Sequence, residues 1–166
     1  MKRVSSIVCS SMVVVFGTAH PDPTAVASRG ETLVVSGDGQ SKVRVKIKTH
    51  EMQIGKPSDE RPAVIESSCT YSRFPCSIVD RIEISVNGEP VFVPRSAFCD
   101  LADLSRAEIS VGKDGSTLKL VGGDGADSFI ANIVFDGTHV KRRTVQGGES
   151  RGQLSQETTY HVEVFE

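Results

Sequence analysis

The stretch Arg81-Ile82-Glu83-Ile84-Ser85-Val86-Asn87-Gly88-Glu89-Pro90-Val91-Phe92-Val93 decides the fold. Asn-Gly supplies the two positive φ angles that a type I′ turn requires. A two-residue loop there pairs Val86 with Glu89, Ile84 with Val91 and Ile82 with Val93. The apolar side chains then meet on one face, so turn chemistry and hydrophobic pattern specify the same register. Pro90 falls opposite Ser85 and has no N–H for a further strand, which places this hairpin at a sheet edge or a bulge.

The same period of two recurs upstream. In Val43-Arg44-Val45-Lys46-Ile47-Lys48 apolar and basic residues alternate without exception, the pattern of a strand with one buried face. Residues 31–35 read as the first strand, 36–39 as a turn, 50–62 as a long polar loop and 63–67 as a short strand. Downstream, 98–106 reads as one or two helical turns, with Leu101 and Leu104 three apart. Strands are expected at 107–111, 117–121, 129–135, 138–145 and 158–165. Asp136-Gly137 reads as a second two-residue hairpin loop, placing Phe129, Ala131, Ile133, Phe135 and Val140 on one face. The expected fold is all-β: an antiparallel β-sandwich of about eight or nine strands with one short helix, the alternative being a small β-barrel.

With 166 residues the chain suits one domain. It carries no Trp and few aromatics, so Val, Ile, Leu and seven Phe must build the core. A net charge of −2 argues against general nucleic-acid binding. The start reads as a targeting segment: Lys2 and Arg3, then a mostly apolar run over 7–16, then small residues at 17–19. That run is about ten residues, short of the roughly 20 needed to span a bilayer, so no membrane span is expected in the mature chain. The expected organisation is a signal peptide over 1–19, a lead-in over 20–30 and a single β domain over 31–166. A cut after Ala27 is the alternative. Cleavage after Ala19 removes two basic residues and leaves 17 against 21 acidic ones.

A periplasmic or secreted location is oxidising. The odd set Cys69, Cys76 and Cys99 permits one internal bridge and one leftover thiol. Cys69 and Cys76 enclose six residues, a span suited to a bridge across a turn, and Cys99 is expected free. The cysteine and histidine spacings match no zinc site, and neither metal nor cofactor is expected. The run Gly122-Gly123-Asp124-Gly125-Ala126-Asp127 fits a calcium-binding nonapeptide, yet such sites form between stacked repeats and only one copy occurs here. A tight inter-strand loop is the expected reading.

Arg44, Lys46 and Lys48 lie on one strand face, and Lys141, Arg142 and Arg143 form a second basic run. Such a stripe could contact an acidic polymer, a lipid headgroup or an acidic partner protein, an envelope protein among them, or be a solvated face or lysines guarding an edge. Catalytic motifs such as Gly-x-Ser-x-Gly and HExxH do not occur, so no catalytic residue is assigned. Arg95 sits between a strand and the expected helix, beside Asp100 and Asp103, and these three are expected to clamp the crossover.

The segment 91–98 with Asp100 and Asp103, the later Gly122-Gly123-Asp124, and Gln156-Glu157-Thr158-Thr159-Tyr160 resemble a group of small exported bacterial β proteins of unassigned function. That resemblance covers roughly residues 81–160 and implies no activity. The expectation for function is an exported non-catalytic binding protein, in its sharper form an inhibitor or immunity protein against a cell-wall hydrolase. The alternatives are a carboxylate-dependent hydrolase and a structural envelope component.

Overall fold

The structure, a computed structural model, describes residues 22–37, 41–53, 69–70, 75–113, 115–148 and 154–162. Ten strands in these residues form two antiparallel sheets that do not close into a barrel. The strands are β1 (Thr24–Ala25), β2 (Gly30–Gly37), β3 (Lys42–Met52), β4 (Cys76–Val86), β5 (Glu89–Val91), β6 (Leu104–Gly112), β7 (Gly115–Gly122), β8 (Phe129–Phe135), β9 (Val140–Gly147) and β10 (Leu154–Thr159). The larger sheet runs β1-β6-β7-β8-β9-β10 and the smaller β2-β3-β4-β5.

The Asn87-Gly88 turn forms as its chemistry demands, with φ of 54° and 94°. Val86 pairs with Glu89, Ser85 with Pro90 and Ile84 with Val91. The expected Ile82–Val93 pair does not form. Phe92 instead gives its N–H to the Thr138 carbonyl at 2.7 Å and accepts from Val140 N–H at 3.0 Å. Those two bonds pull the chain off the hairpin and tie the small sheet to the large one. As Pro90 implied, β5 is an edge.

Alternation then builds the main core. Val43, Val45 and Ile47 of β3 and Ile82 and Ile84 of β4 are buried. Against them pack Leu118 and Leu120 of β7 and Ile133 and Phe135 of β8, in the same cluster. Each such side chain contributes roughly 1.5–3 kcal/mol on burial, so the shared interior holds the sheets face to face.

Several local expectations are corrected. The helix over 98–106 is replaced by a 3₁₀ turn at Arg95–Ala97, and Leu104 already begins β6. Leu101 and Leu104 are both buried, but in an irregular crossover. There the Asp103 N–H bonds the Ser77 carbonyl and the Asp103 carbonyl accepts from Gly123, which leaves neither group for a helix. The 20–30 lead-in contains β1, paired with Ala107 and Arg106. The Asp136-Gly137 loop spans four residues: Phe135 pairs with Val140, and Asp136 N–H bonds the His139 carbonyl. The Asp136 carboxylate, accepting from Thr138 and His139 N–H, holds that wider turn. The last strand starts earlier than expected and ends at Thr159. The strand expected at 63–67 lies outside the described residues.

Candidate functional site

The outward face of the small sheet follows from the same alternation that buries its inner face. Arg44, Lys46 and Lys48 all project from β3 to solvent, as their spacing requires. Register sets their neighbours: Arg44 lies between Val35 and Ser85, Lys46 between Leu33 and Glu83, and Lys48 between Glu31 and Arg81. Lys46 is compensated, its ammonium standing 3.5 Å from Glu83 and 4.0 Å from Glu31. Arg81 also pairs with Glu83, at 3.1 Å. Arg44 and Lys48 have no ion-pair partner among the described residues.

This face is apolar as well as basic. Leu33 is 50% exposed, Val35 45% and Phe92 61%, values far from those of the core. A cavity of about 1160 Å³ opens over the face, lined by Leu33, Arg44, Arg81, Pro90, Phe92 and Arg95 among others. A smaller one of about 390 Å³ lies beside Lys46, Lys48 and Asp80. Chemically, such a surface offers cations to carboxylates or phosphates and apolar area to whatever carries them.

The triad expected to clamp the crossover is divided. Arg95 is exposed on the 3₁₀ turn at the rim of the larger cavity, so sequence reading missed its place on this surface. Asp103 is 1% exposed and accepts from Thr70 N–H and Ser77 N–H, each at 2.8 Å. Those residues directly follow Cys69 and Cys76, which form the expected disulfide. Asp103 therefore grips both ends of the disulfide loop. Asp100 bonds Nη2 of Arg143 at 2.6 Å. Cys99 is exposed and free, as expected.

Arg143 corrects the reading of the second basic run as one surface stripe. Lys141 and Arg142 are exposed, but Arg143 is 1% exposed. The cause is a register shift: Phe135 pairs with Val140 and Val134 with Arg142, so Lys141 is the extra residue. Alternation restarts one step late, and Arg143 faces inward opposite Ile133. Its second amino group reaches Gln156 Oε1 at 2.6 Å. The three residues 100, 143 and 156 thus lock β9, β10 and the crossover, a structural role for a buried charge that is paired and hydrogen-bonded.

The histidines are dispersed. His50 Nδ1 contacts Asp80 at 2.6 Å, His139 sits in the Asp136 turn, and His161 is exposed near the end of the described chain. In that turn partial burial pushes the Asp136 carboxyl upward. The Lys141 ammonium at 2.8 Å and the Thr138 and His139 donors outweigh it and hold the group well below the usual carboxylate range. In the glycine-rich loop, Asp124 accepts from Gly125 N–H and caps a 3₁₀ turn at Gly125–Asp127. No group of three or more His, Cys, Asp or Glu suited to a metal occurs among the described residues. No family model, curated protein or solved structure matches the chain.

Proposed function

We propose that the chain is an exported, non-catalytic binding protein that holds an acidic polypeptide partner of the cell envelope on the outward face of its small sheet. The observation that carries this reading is one open cavity lined by uncompensated Arg44 and Arg95 with exposed Leu33 and Phe92, beside which uncompensated Lys48 and exposed Val35 stand on the same sheet face. Uncompensated cations steer an acidic partner, and exposed apolar side chains supply area that water does not hold. An inhibitor or immunity protein against a cell-wall hydrolase is the sharper form of this function. The disulfide is compatible with an oxidising compartment. No helix among the described residues is long and apolar enough to cross a membrane.

Export further implies cleavage after Ala19 rather than after Ala27. A cut after Ala27 would remove β1, together with the Val26 N–H bond to Ser105 and the Ala27 carbonyl that accepts from Thr49. N-terminal sequencing of secreted protein is expected to start at His20. A mature chain starting at Ser28 would refute that assignment.

The functional reading is tested by capture from an envelope extract with the wild type and an Arg44→Glu/Lys48→Glu/Arg95→Glu variant. A specific partner held by the wild type at moderate salt should be lost from the variant. Equal recovery by both proteins would refute the assigned face.

A further inference from the structure

A sandwich of two open sheets has four edge strands, and an edge presents unpaired N–H and C=O groups to any other chain. Three of the four are blunted here. β1 has two residues, β5 has three and carries Pro90, and β10 is distorted by a bulge between Leu154 and Gln156. The fourth, β2, has eight residues, Gly30-Glu31-Thr32-Leu33-Val34-Val35-Ser36-Gly37, with neither Pro nor Lys. It pairs with β3 in unbroken register.

The direction of its backbone groups follows from the bonds of β3. Asn87 N–H donates to the Lys42 carbonyl at 2.8 Å, so the backbone of Lys42 faces β4. Alternation turns Arg44 and Lys46 the same way and Val43, Val45 and Ile47 toward β2. Their register partners Ser36, Val34 and Thr32 therefore bond β3. Glu31, Leu33 and Val35 turn their N–H and C=O outward from the sheet. No backbone bond from these groups to another element occurs among the described residues. These are also the residues whose side chains stand on the exposed face, Leu33 and Val35 being about half exposed.

We infer that β2 is a pairing edge for a second copy of this chain, joined antiparallel about a twofold axis at Leu33. The strand is self-complementary in that register. Leu33 meets Leu33 of the second copy, and Glu31 meets Val35 in each direction. Each of these pairs can exchange two main-chain hydrogen bonds, because all of the residues involved point their backbone groups outward. Glu31 is the one charged residue of β2 and meets an aliphatic partner, so no like charges are opposed. Leu33 and Val35 of both copies merge into one apolar patch at the centre of a continuous eight-stranded sheet. Each copy has one β2, so the contact is isologous and closes at two copies. The inference is independent of which ligand the cationic face holds.

Sedimentation velocity of the purified protein across the micromolar range tests it, with amide hydrogen exchange as a residue-level readout. The expected result is a concentration-dependent shift from one copy to two and no further. Exchange at Glu31, Leu33 and Val35 should slow at least tenfold on dimerisation. Thr32 and Val34, already bonded to β3, should change little. A Leu33→Lys/Val35→Lys variant, altered only on the exposed face, should stay a single copy. A wild type that stays single throughout, an assembly larger than two, a variant that still dimerises, or a dimer whose three outward amides exchange at the single-copy rate would overturn the inference.

Discussion

Replacing Asp103 with Ala should be among the most destabilising single changes to a polar side chain in this protein. The carboxylate is buried and is the acceptor for two backbone N–H groups, those of Thr70 and Ser77. Each N–H left buried without an acceptor costs about 1–3 kcal/mol. Asp103 also sits at φ 49°, a left-handed conformation that short polar side chains such as Asp and Asn adopt more readily than Ala. The expected loss from the two N–H groups is about 2–6 kcal/mol, a large share of the ~5–15 kcal/mol typical of a domain. Asp103→Asn keeps one acceptor oxygen and tolerates the left-handed conformation, so it should cost only about 1–3 kcal/mol. Because the chain has no Trp, urea unfolding is best followed by far-ultraviolet circular dichroism under oxidising conditions. Asp124→Ala, at an exposed cap, serves as the control. The disulfide fastens the same two chain ends and contributes roughly 2–3 kcal/mol by loop closure. Asp103→Ala should therefore cost less in a Cys69→Ser/Cys76→Ser background, by about 0.5–3 kcal/mol of coupling. An Asp103→Ala protein within about 1 kcal/mol of wild type, or an Asn variant as unstable as the Ala variant, would refute this account.

Ile84→Ala removes a buried aliphatic from the core and should destabilise by about 2–5 kcal/mol, whereas Glu83→Ala on the solvent face should cost under about 1 kcal/mol; denaturant melts giving equal losses would invalidate the assigned face. Gly88→Ala, at φ 94° with open space around the new Cβ, should cost about 1 kcal/mol from backbone strain and less than Ile84→Ala in the same melts. Asp136 is depressed in the folded state, so its stabilisation is present above the unfolded carboxyl pKa near ~3.9 and fades as pH falls through the lower folded value. Asp136→Asn should thus lower stability at pH 7 by about 1 kcal/mol, and the gap from wild type should narrow in melts below about pH 4. Calcium titration calorimetry should give no micromolar binding at the Gly122–Asp127 loop; binding lost in Asp127→Ala would reverse that reading.

The two-residue turn and the alternating strands were legible because their signals are local. Asn87-Gly88 sets the register through turn chemistry, and Val43, Val45 and Ile47 declare a face through period two. What was not legible arises where local order is overruled from a distance. The crossover reads as helical because Leu101 and Leu104 are three apart. Its backbone is nonetheless committed to Ser77 on β4 and to Gly123 just beyond β7. Arg143 reads as one of three surface cations because a bulge leaves no mark in Lys141-Arg142-Arg143. Only the pairing of Val134 with Arg142 shows that the count slips by one.

The candidate surface was half legible for the same reason. The cationic stripe on β3 is a one-strand property, whereas compensation of Lys46 by Glu31 and Glu83 depends on two register choices. Those choices leave Arg44 and Lys48 without acidic partners among the described residues. Arg95 joins them because the crossover carboxylates are engaged elsewhere, Asp103 by the disulfide loop and Asp100 by the inward Arg143. The bulge that buries Arg143 therefore has a consequence beyond the large sheet. With Asp100 drawn to Arg143, Arg95 stays exposed at the rim of the cavity over the small sheet. Arg143→Met tests this connection, because it removes the guanidinium from Asp100 while filling similar space. Should Asp100 then turn to Arg95, binding of the proposed acidic partner should weaken although no residue of the proposed face has changed. Unchanged binding in a folded Arg143→Met protein would show that Arg95 owes its availability to something other than this pairing.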